Sequence, residues 1–148
     1  MMRILLYLVV ALGGAGLAVQ AVWNARLRTA TGSPILTVLI SVFITFVCVL
    51  LTWASGTTAR GTVPAFGSIP KWAWFGGVFA GFFLLSSLIA VPRLGAAAVF
   101  SLVIAGQLIA AVILDATGAF GVTQIPLNPM RMLGTGLLLA GVVLIQRN

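Results

Sequence analysis

Five apolar runs, each long enough to cross a lipid bilayer, constrain this chain more than any other feature. The hydrocarbon core of a bilayer is about 30 Å thick and takes roughly 20 helical residues. Within it only helices and closed barrels satisfy every backbone polar group. The runs predict transmembrane helices over residues 4–25, 35–53, 72–91, 94–114 and 130–145. We therefore expect an all-α integral membrane protein with one five-helix domain over residues 1–148.

The charge content excludes a soluble protein and argues against a nucleic-acid partner. Only 6% of the residues are charged and 61% are hydrophobic, whereas about a quarter of a soluble domain is charged. The net charge is +7, but the basic residues are scattered singly between the apolar runs and form no patch. The first run is too long for a signal peptide and lacks a convincing cleavage site. A multi-pass membrane protein in contact with the lipid bilayer is expected.

Four prolines predict where helices begin and end. Ser33 and Pro34, and again Asn128 and Pro129, each combine a side-chain acceptor for the helix N-terminus with a proline suited to the first turn. Pro70 and Pro92 bracket the third run. A proline within a helix removes a backbone hydrogen bond, so the third helix is expected to end at Pro92.

The residue inventory argues against an enzyme. The chain has no histidine, one acidic residue and one cysteine. One chain therefore provides no general acid and base pair and no set of metal ligands. We expect no catalytic residues, no metal and no cofactor.

The eight basic residues divide equally between the two sides of a five-span chain. The side of the N-terminus holds Arg3, Arg60, Lys71 and Arg131, and the opposite side holds Arg26, Arg28, Arg93 and Arg147. Orientation normally follows an excess of Lys and Arg in cytoplasmic loops. A balanced chain can insert in both orientations and pair with itself as an antiparallel homodimer, which recreates the inverted repeat of many transporters. The alternatives are one fixed orientation, or a heterodimer with a related chain of opposite bias.

Polar side chains within the runs are candidates for a substrate pathway: Gln20, Trp23 and Asn24 on the first run, Ser41 on the second and Gln107 on the fourth. An amide that faces lipid leaves its donors and acceptors unpaired, so both glutamines must face protein or water. From the helical rise, Gln20 lies about 24 Å from the N-terminal side and Gln107 about 20 Å from the opposite side. An inverted partner therefore brings them to one level. The alternative is an interhelical amide clamp without a transport role.

Trp23 has two interpretations. It lies near the end of a run, where an indole anchors a helix at the headgroup level. It also shares a helix face with Gln20 and Asn24, where it can offer a π surface to a flat or cationic solute.

Small residues indicate where helices approach closely. Gly13 and Gly16 on the first run, and Gly77 and Gly81 on the third, are predicted to be helix-packing positions. Hydroxyl side chains recur along one face of the second run, from Thr37 through Ser41 to Thr52. Such a line is either a packing face or part of a small channel.

Asp115 is the single acidic residue and lies at the end of the fourth run. The carbonyl end of a helix repels a negative charge there. Arg131, on the same membrane side, is the nearest partner in sequence. We expect an interfacial ion pair that orders the loop between the two residues, the alternative being a carboxylate that couples transport to ions.

Three segments resemble the YdcZ-like branch of the drug/metabolite transporter superfamily: "GLAVQAVWNARLR" (16–28), "VPRLGAAAVFSLVIAGQLIAAVILDATGAFG" (91–121) and "PLNPMRMLGTGLLLAGVVLIQR" (126–147). The resemblance covers nearly the whole chain. It implies a bacterial inner-membrane location and a ten-helix unit built from two inverted five-helix chains. It also implies a subunit that moves a small solute or metabolite by alternating access. A small dual-topology channel and a non-transporting structural subunit are the alternatives.

Overall fold

A computed structural model describes residues 2–56 and 69–147. Arg60, one of the cations counted on the N-terminal side, lies outside these residues. The described chain is helical: α1 spans Met2–Thr31, α2 Pro34–Ala54, α3 Gly76–Leu94, α4 Ala96–Thr117 and α5 Pro129–Gln146. Short 3₁₀ segments, Lys71–Phe75 and Ala119–Gly121, precede α3 and follow α4.

All five α-helices, with the 3₁₀ segment before α3 included in the third span, are long and apolar enough to cross a membrane, which confirms the predicted fold class. The chain divides into two compact units, Met1–Pro92 and Arg93–Asn148. The single five-helix domain, the antiparallel dimer and the ten-helix unit stay predictions.

In the first unit, a tight turn joins α1 to α2, and the two helices pack against each other. Gly32 takes a positive φ of 66° between them, a conformation that glycine adopts without strain. Ser33 then accepts a hydrogen bond from the Leu36 backbone N–H at 3.3 Å, and Pro34 occupies the first turn. The predicted cap at Ser33 is confirmed. The hydroxyls of Thr31 and Thr37 lie 2.7 Å apart and tie the two helix ends together.

Helix α3 contains Pro92 in its last turn instead of ending there, so the expected end at Pro92 was wrong. Proline has no N–H, and the carbonyl of Leu88, four residues earlier, therefore loses its partner within the helix. The Arg28 guanidinium of α1 donates to this carbonyl at 3.2 Å. Because an unsatisfied carbonyl is costly inside a bilayer, this bond accounts for the continuation of α3 to Leu94.

In the second unit, α4 and α5 pack against each other. Asn128 accepts a hydrogen bond from the Arg131 backbone N–H at 2.8 Å, and Pro129 follows in the first turn of α5. The predicted cap at Asn128 is thus confirmed. At the other end of α5, the Gln146 amide donates to the Ala98 carbonyl at 2.9 Å and lies 3.2 Å from the Ser101 hydroxyl.

The loop after α4 satisfies the carbonyl groups that a helix C-terminus leaves unpaired. Gly118, with a φ of 64°, donates its N–H to Leu114, as glycine commonly does at this position. The Ile125 N–H donates to the Asp115 carbonyl at 2.8 Å. The Gln124 side chain donates to the Ala116 carbonyl, also at 2.8 Å. The loop is therefore anchored to the helix it leaves.

The four predicted packing glycines, Gly13, Gly16, Gly77 and Gly81, face open space within the described chain. A Cβ atom at any of them meets nothing within 4 Å. Their close packing stays a prediction, and it requires a surface from outside the described residues.

The bond between Arg28 and the Leu88 carbonyl predicts a coupling between Arg28 and Pro92. Arg28→Met leaves the carbonyl unpaired and should lower the free energy of unfolding by about 1–3 kcal/mol. In a Pro92→Ala background the restored N–H takes the carbonyl, and the same change should cost less than about 1 kcal/mol. Unfolding titrations of the detergent-solubilised variants measure the loss of unfolding free energy in each background. Arg26→Met, at an exposed arginine, is the control, and equal losses in both backgrounds would show that Arg28 does not serve the carbonyl.

Candidate functional site

A cavity of about 170 Å³ opens between α1 and α2 in the first unit. Ile44 and Thr45 line it, together with four of the predicted pathway residues: Gln20, Trp23, Asn24 and Ser41. Residues three and four apart share a helix face, so one stripe of α1 presents its two amides and its indole to one surface of α2. We call this space the α1/α2 cavity.

Asn24 and Ser41 join the two helices at this cavity. The Ser41 hydroxyl donates to Asn24 Oδ1 at 2.6 Å, and Ser41 is buried. Other hydroxyls of α2 bond to their own helix instead: Thr37 donates to the Ser33 carbonyl at 2.9 Å and Thr45 to the Ser41 carbonyl at 2.9 Å. The predicted hydroxyl stripe is therefore largely turned inward to the backbone of α2. Thr37 also contacts Thr31 at the end of α1, and Ser41 is the member that bonds to α1 at the cavity.

Gln20 and Trp23 are available to a ligand. Gln20 is half-buried, and its amide has no hydrogen-bond partner among the residues that the structure describes. Trp23 is 71% exposed. The cavity thus combines an unused amide, an indole and the apolar side chain of Ile44.

A second, smaller cavity lies on the other side of Gln20 and Asn24, between α1 and α3. Its volume is about 10 Å³, room for about one water-sized group. The sequence analysis missed its third polar residue, Ser87 of α3. Ser87 is 4% exposed, and its hydroxyl has no hydrogen-bond partner in the described chain. The remaining lining is apolar, from Leu17, Ala21, Phe83, Leu84 and Leu88. We call this space the Ser87 cavity.

Gln107, the fifth pathway candidate, belongs to the second unit and not to the α1/α2 cavity. It lies within α4 and is exposed. Across residues 2–56 and 69–147 its amide finds no hydrogen-bond partner.

Asp115 and Arg131 form an ion pair in the second unit. Asp115 lies in the last turns of α4, and Arg131 Nη2 donates to its carboxylate. The side chains are 28% and 27% exposed, respectively. Arg131 Nη1 is buried without a partner in the described residues. Because Arg131 also follows the cap of α5, the pair connects the end of α4 to the start of α5.

Comparison with known proteins decides the family. A family model described as "Putative inner membrane exporter, YdcZ" matches residues 5–144. The chain belongs to the YdcZ family. No curated protein and no solved structure matches it with significance.

Membership of the YdcZ family, together with five helices able to span a bilayer, makes this an inner-membrane protein. The description of the family is that of a membrane exporter. Among residues 2–56 and 69–147 no three histidine, cysteine or acidic side chains gather as metal ligands.

The ion pair of the second unit generates a prediction about stability. Asp115→Asn and Arg131→Gln should each lower the free energy of unfolding by about 1 kcal/mol, and the double variant should lose less than the sum. High salt should reduce the difference, because part of each side chain reaches solvent. Chemical unfolding at low and high ionic strength measures both effects, with Arg147→Gln as control. Strictly additive losses would show that the ion pair does not stabilise the connection between α4 and α5.

Proposed function

We propose that the chain is one subunit of a small-solute exporter that works by alternating access, with the α1/α2 cavity as the solute site. The observation that carries the proposal is the convergence of Gln20, Trp23, Asn24 and Ser41 on one cavity of about 170 Å³. Ligand sites are usually concave and largely apolar, with a few placed polar groups. The α1/α2 cavity has this composition, and the family is one of exporters.

The second subunit in this proposal is another copy of the chain, inserted upside down. The equal division of basic residues between the two sides supports insertion in both orientations. Gln107 supports a protein partner, because it is an exposed amide in an apolar helix and lipid cannot pair it. An inverted copy brings its Gln107 to the depth of Gln20, so that two chains contribute to one polar site.

The hydrogen bonds of α2 favour a transporter over a pore. A channel needs a polar lining that continues through the membrane. Thr45 and Thr52 donate their hydroxyl protons to carbonyls of their own helix, at 2.9 and 2.8 Å. These protons are not available to passing ions, whereas the open amide of Gln20 supports binding at one level.

Loss of either glutamine should abolish transport without preventing assembly. Proteoliposomes that contain the purified protein are loaded with a metabolite extract, and mass spectrometry follows the solutes whose exit accelerates when extract is present outside. Gln20→Leu and Gln107→Leu should remove this exchange, because each deletes the amide and retains an apolar side chain. Val19→Leu, an exposed neighbour of Gln20, is the matched control. Undiminished exchange in both glutamine variants would show that the two amides serve only in helix packing.

Dual insertion predicts that single charges tip the orientation. Two reporters are fused after Asn148: a fluorescent protein, which is active in the cytoplasm, and alkaline phosphatase, which is active in the periplasm. Both fusions should give a signal. Arg3→Gln removes a cation from the N-terminal side, so the fluorescent signal should rise and the phosphatase signal fall. Arg147→Gln should do the reverse. If one reporter alone is active in the wild type and no inverted crosslinks form, the antiparallel homodimer is wrong.

A further inference from the structure

We propose that the exported solute is a neutral molecule about the size of a single six-membered ring, and that Ser87 binds its polar substituent. This inference rests on the proposed function, because it names the class of solute for the same site. Four observations carry it: the volume of the α1/α2 cavity, the chemistry of its lining, the absence of acidic residues from the first unit and the unpaired hydroxyl of Ser87.

The volume of the α1/α2 cavity sets the size of the solute. The cavity measures about 170 Å³, and an engineered apolar cavity of roughly 150 Å³ in another protein accommodates benzene. The α1/α2 cavity is open on one side and accommodates one six-membered ring. The indole of Trp23 and the side chain of Ile44 give this ring an apolar surface.

The amides of Gln20 and Asn24 indicate which polar groups the solute carries. Asn24 Oδ1 already accepts the Ser41 hydroxyl, so the amide of Asn24 offers its N–H donors. Gln20 has both a donor and an acceptor unused among the described residues. A ring that carries both an acceptor and a donor, such as a carboxamide or a lactam, pairs with these groups.

The charge of the first unit favours a neutral solute over a cation or an anion. Residues 1–92 contain no Asp or Glu, because the single acidic residue of the chain is Asp115. A cation would therefore have no counter-charge from this unit at a site within the membrane. The arginine one helical turn from Asn24 is Arg28, and it donates to the Leu88 carbonyl. An anion would have to share this guanidinium with the Leu88 carbonyl.

Ser87 supplies a place for the polar substituent. Its neighbour Ser86 is exposed and donates to the Phe83 carbonyl at 3.0 Å. Ser87 is buried instead, its hydroxyl has no partner among the described residues, and its cavity shares Gln20 and Asn24 with the α1/α2 cavity. An unpaired buried hydroxyl is unfavourable. A substituent that bonds to Ser87 removes this penalty and occupies the roughly 10 Å³ available.

Equilibrium binding to the full chain in detergent tests the inference separately from transport. A variant with Trp53, Trp72 and Trp74 replaced by Phe retains Trp23 as the fluorophore. The neutral probes are nicotinamide, benzamide and uracil. Nicotinate and 1-methylnicotinamide are an anion and a cation built on the nicotinamide ring. A variant that retains Trp53 in place of Trp23 controls for partitioning into detergent.

The neutral probes should quench Trp23 saturably, and nicotinamide should bind at least about tenfold more tightly than either charged analogue. Ser87→Ala should weaken nicotinamide binding about three- to tenfold, the effect of one hydrogen bond, while Ser86→Ala should leave it unchanged. Tighter binding of the cation or anion would overturn the inference. So would an absence of saturable quenching by all three neutral probes, equal quenching of Trp53, or equal effects of the two serine variants. Each of these results can arise while exchange transport persists, so the proposed function is judged by its own assay.

Discussion

The bond from Arg28 to the Leu88 carbonyl shows the constraint under which the first unit is built. In a bilayer a backbone group without a partner cannot turn to water, so each break in a helix must be compensated by a side chain or a loop. Pro92 creates such a break in α3, and the guanidinium of α1 compensates it at 3.2 Å. This bond also fixes α3 beside the stripe of α1 that carries Gln20 and Asn24. The Ser87 cavity, which lies between these two helices, therefore depends on a bond that compensates for the proline.

The same rule of complete pairing explains which hydroxyls are functional candidates. A serine or threonine in a membrane helix normally donates to a carbonyl of its own preceding turn, as Thr45 and Ser86 do. Ser41 and Ser87 depart from this pattern: the first donates to Asn24, and the second is unpaired among the described residues. Both line cavities that flank the two amides of α1. Departure from the default bond is thus our reason for treating Ser41 and Ser87 as candidate binding groups.

Features that depend on neighbouring residues in sequence were accessible from the sequence alone. The caps at Ser33 and Asn128 follow from the side chain and the proline beside it, and the hydrophobic runs predicted all five helices. The stripe of Gln20, Trp23 and Asn24 followed from helical spacing, whereas the cavity that it forms with Ser41 was not predicted.

Features that depend on distant residues were not accessible. The sequence analysis expected α3 to end at Pro92, because no local pattern shows that Arg28, 60 residues before Leu88, reaches the carbonyl that the proline leaves unpaired. Ser87 was overlooked for the same reason, since sequence cannot distinguish it from Ser86. Helix periodicity places a side chain on a face, but only packing shows which hydroxyl lacks a partner.

The bonds of Arg28 and Arg131 limit how this protein can evolve its orientation. Under the proposed insertion in both orientations, the balance shifts whenever a cation is gained or lost on one side. Arg28 holds a backbone carbonyl and Arg131 holds the single carboxylate of the chain, so replacement of either one disturbs the fold as well as the charge balance. Arg3 and Arg147 lie near the two ends of the described chain. Among the described residues, neither side chain forms a bond between helices. Among related chains, changes between dual and single orientation should therefore involve substitutions near the termini. Arg28 and Arg131 should be retained in chains of either type.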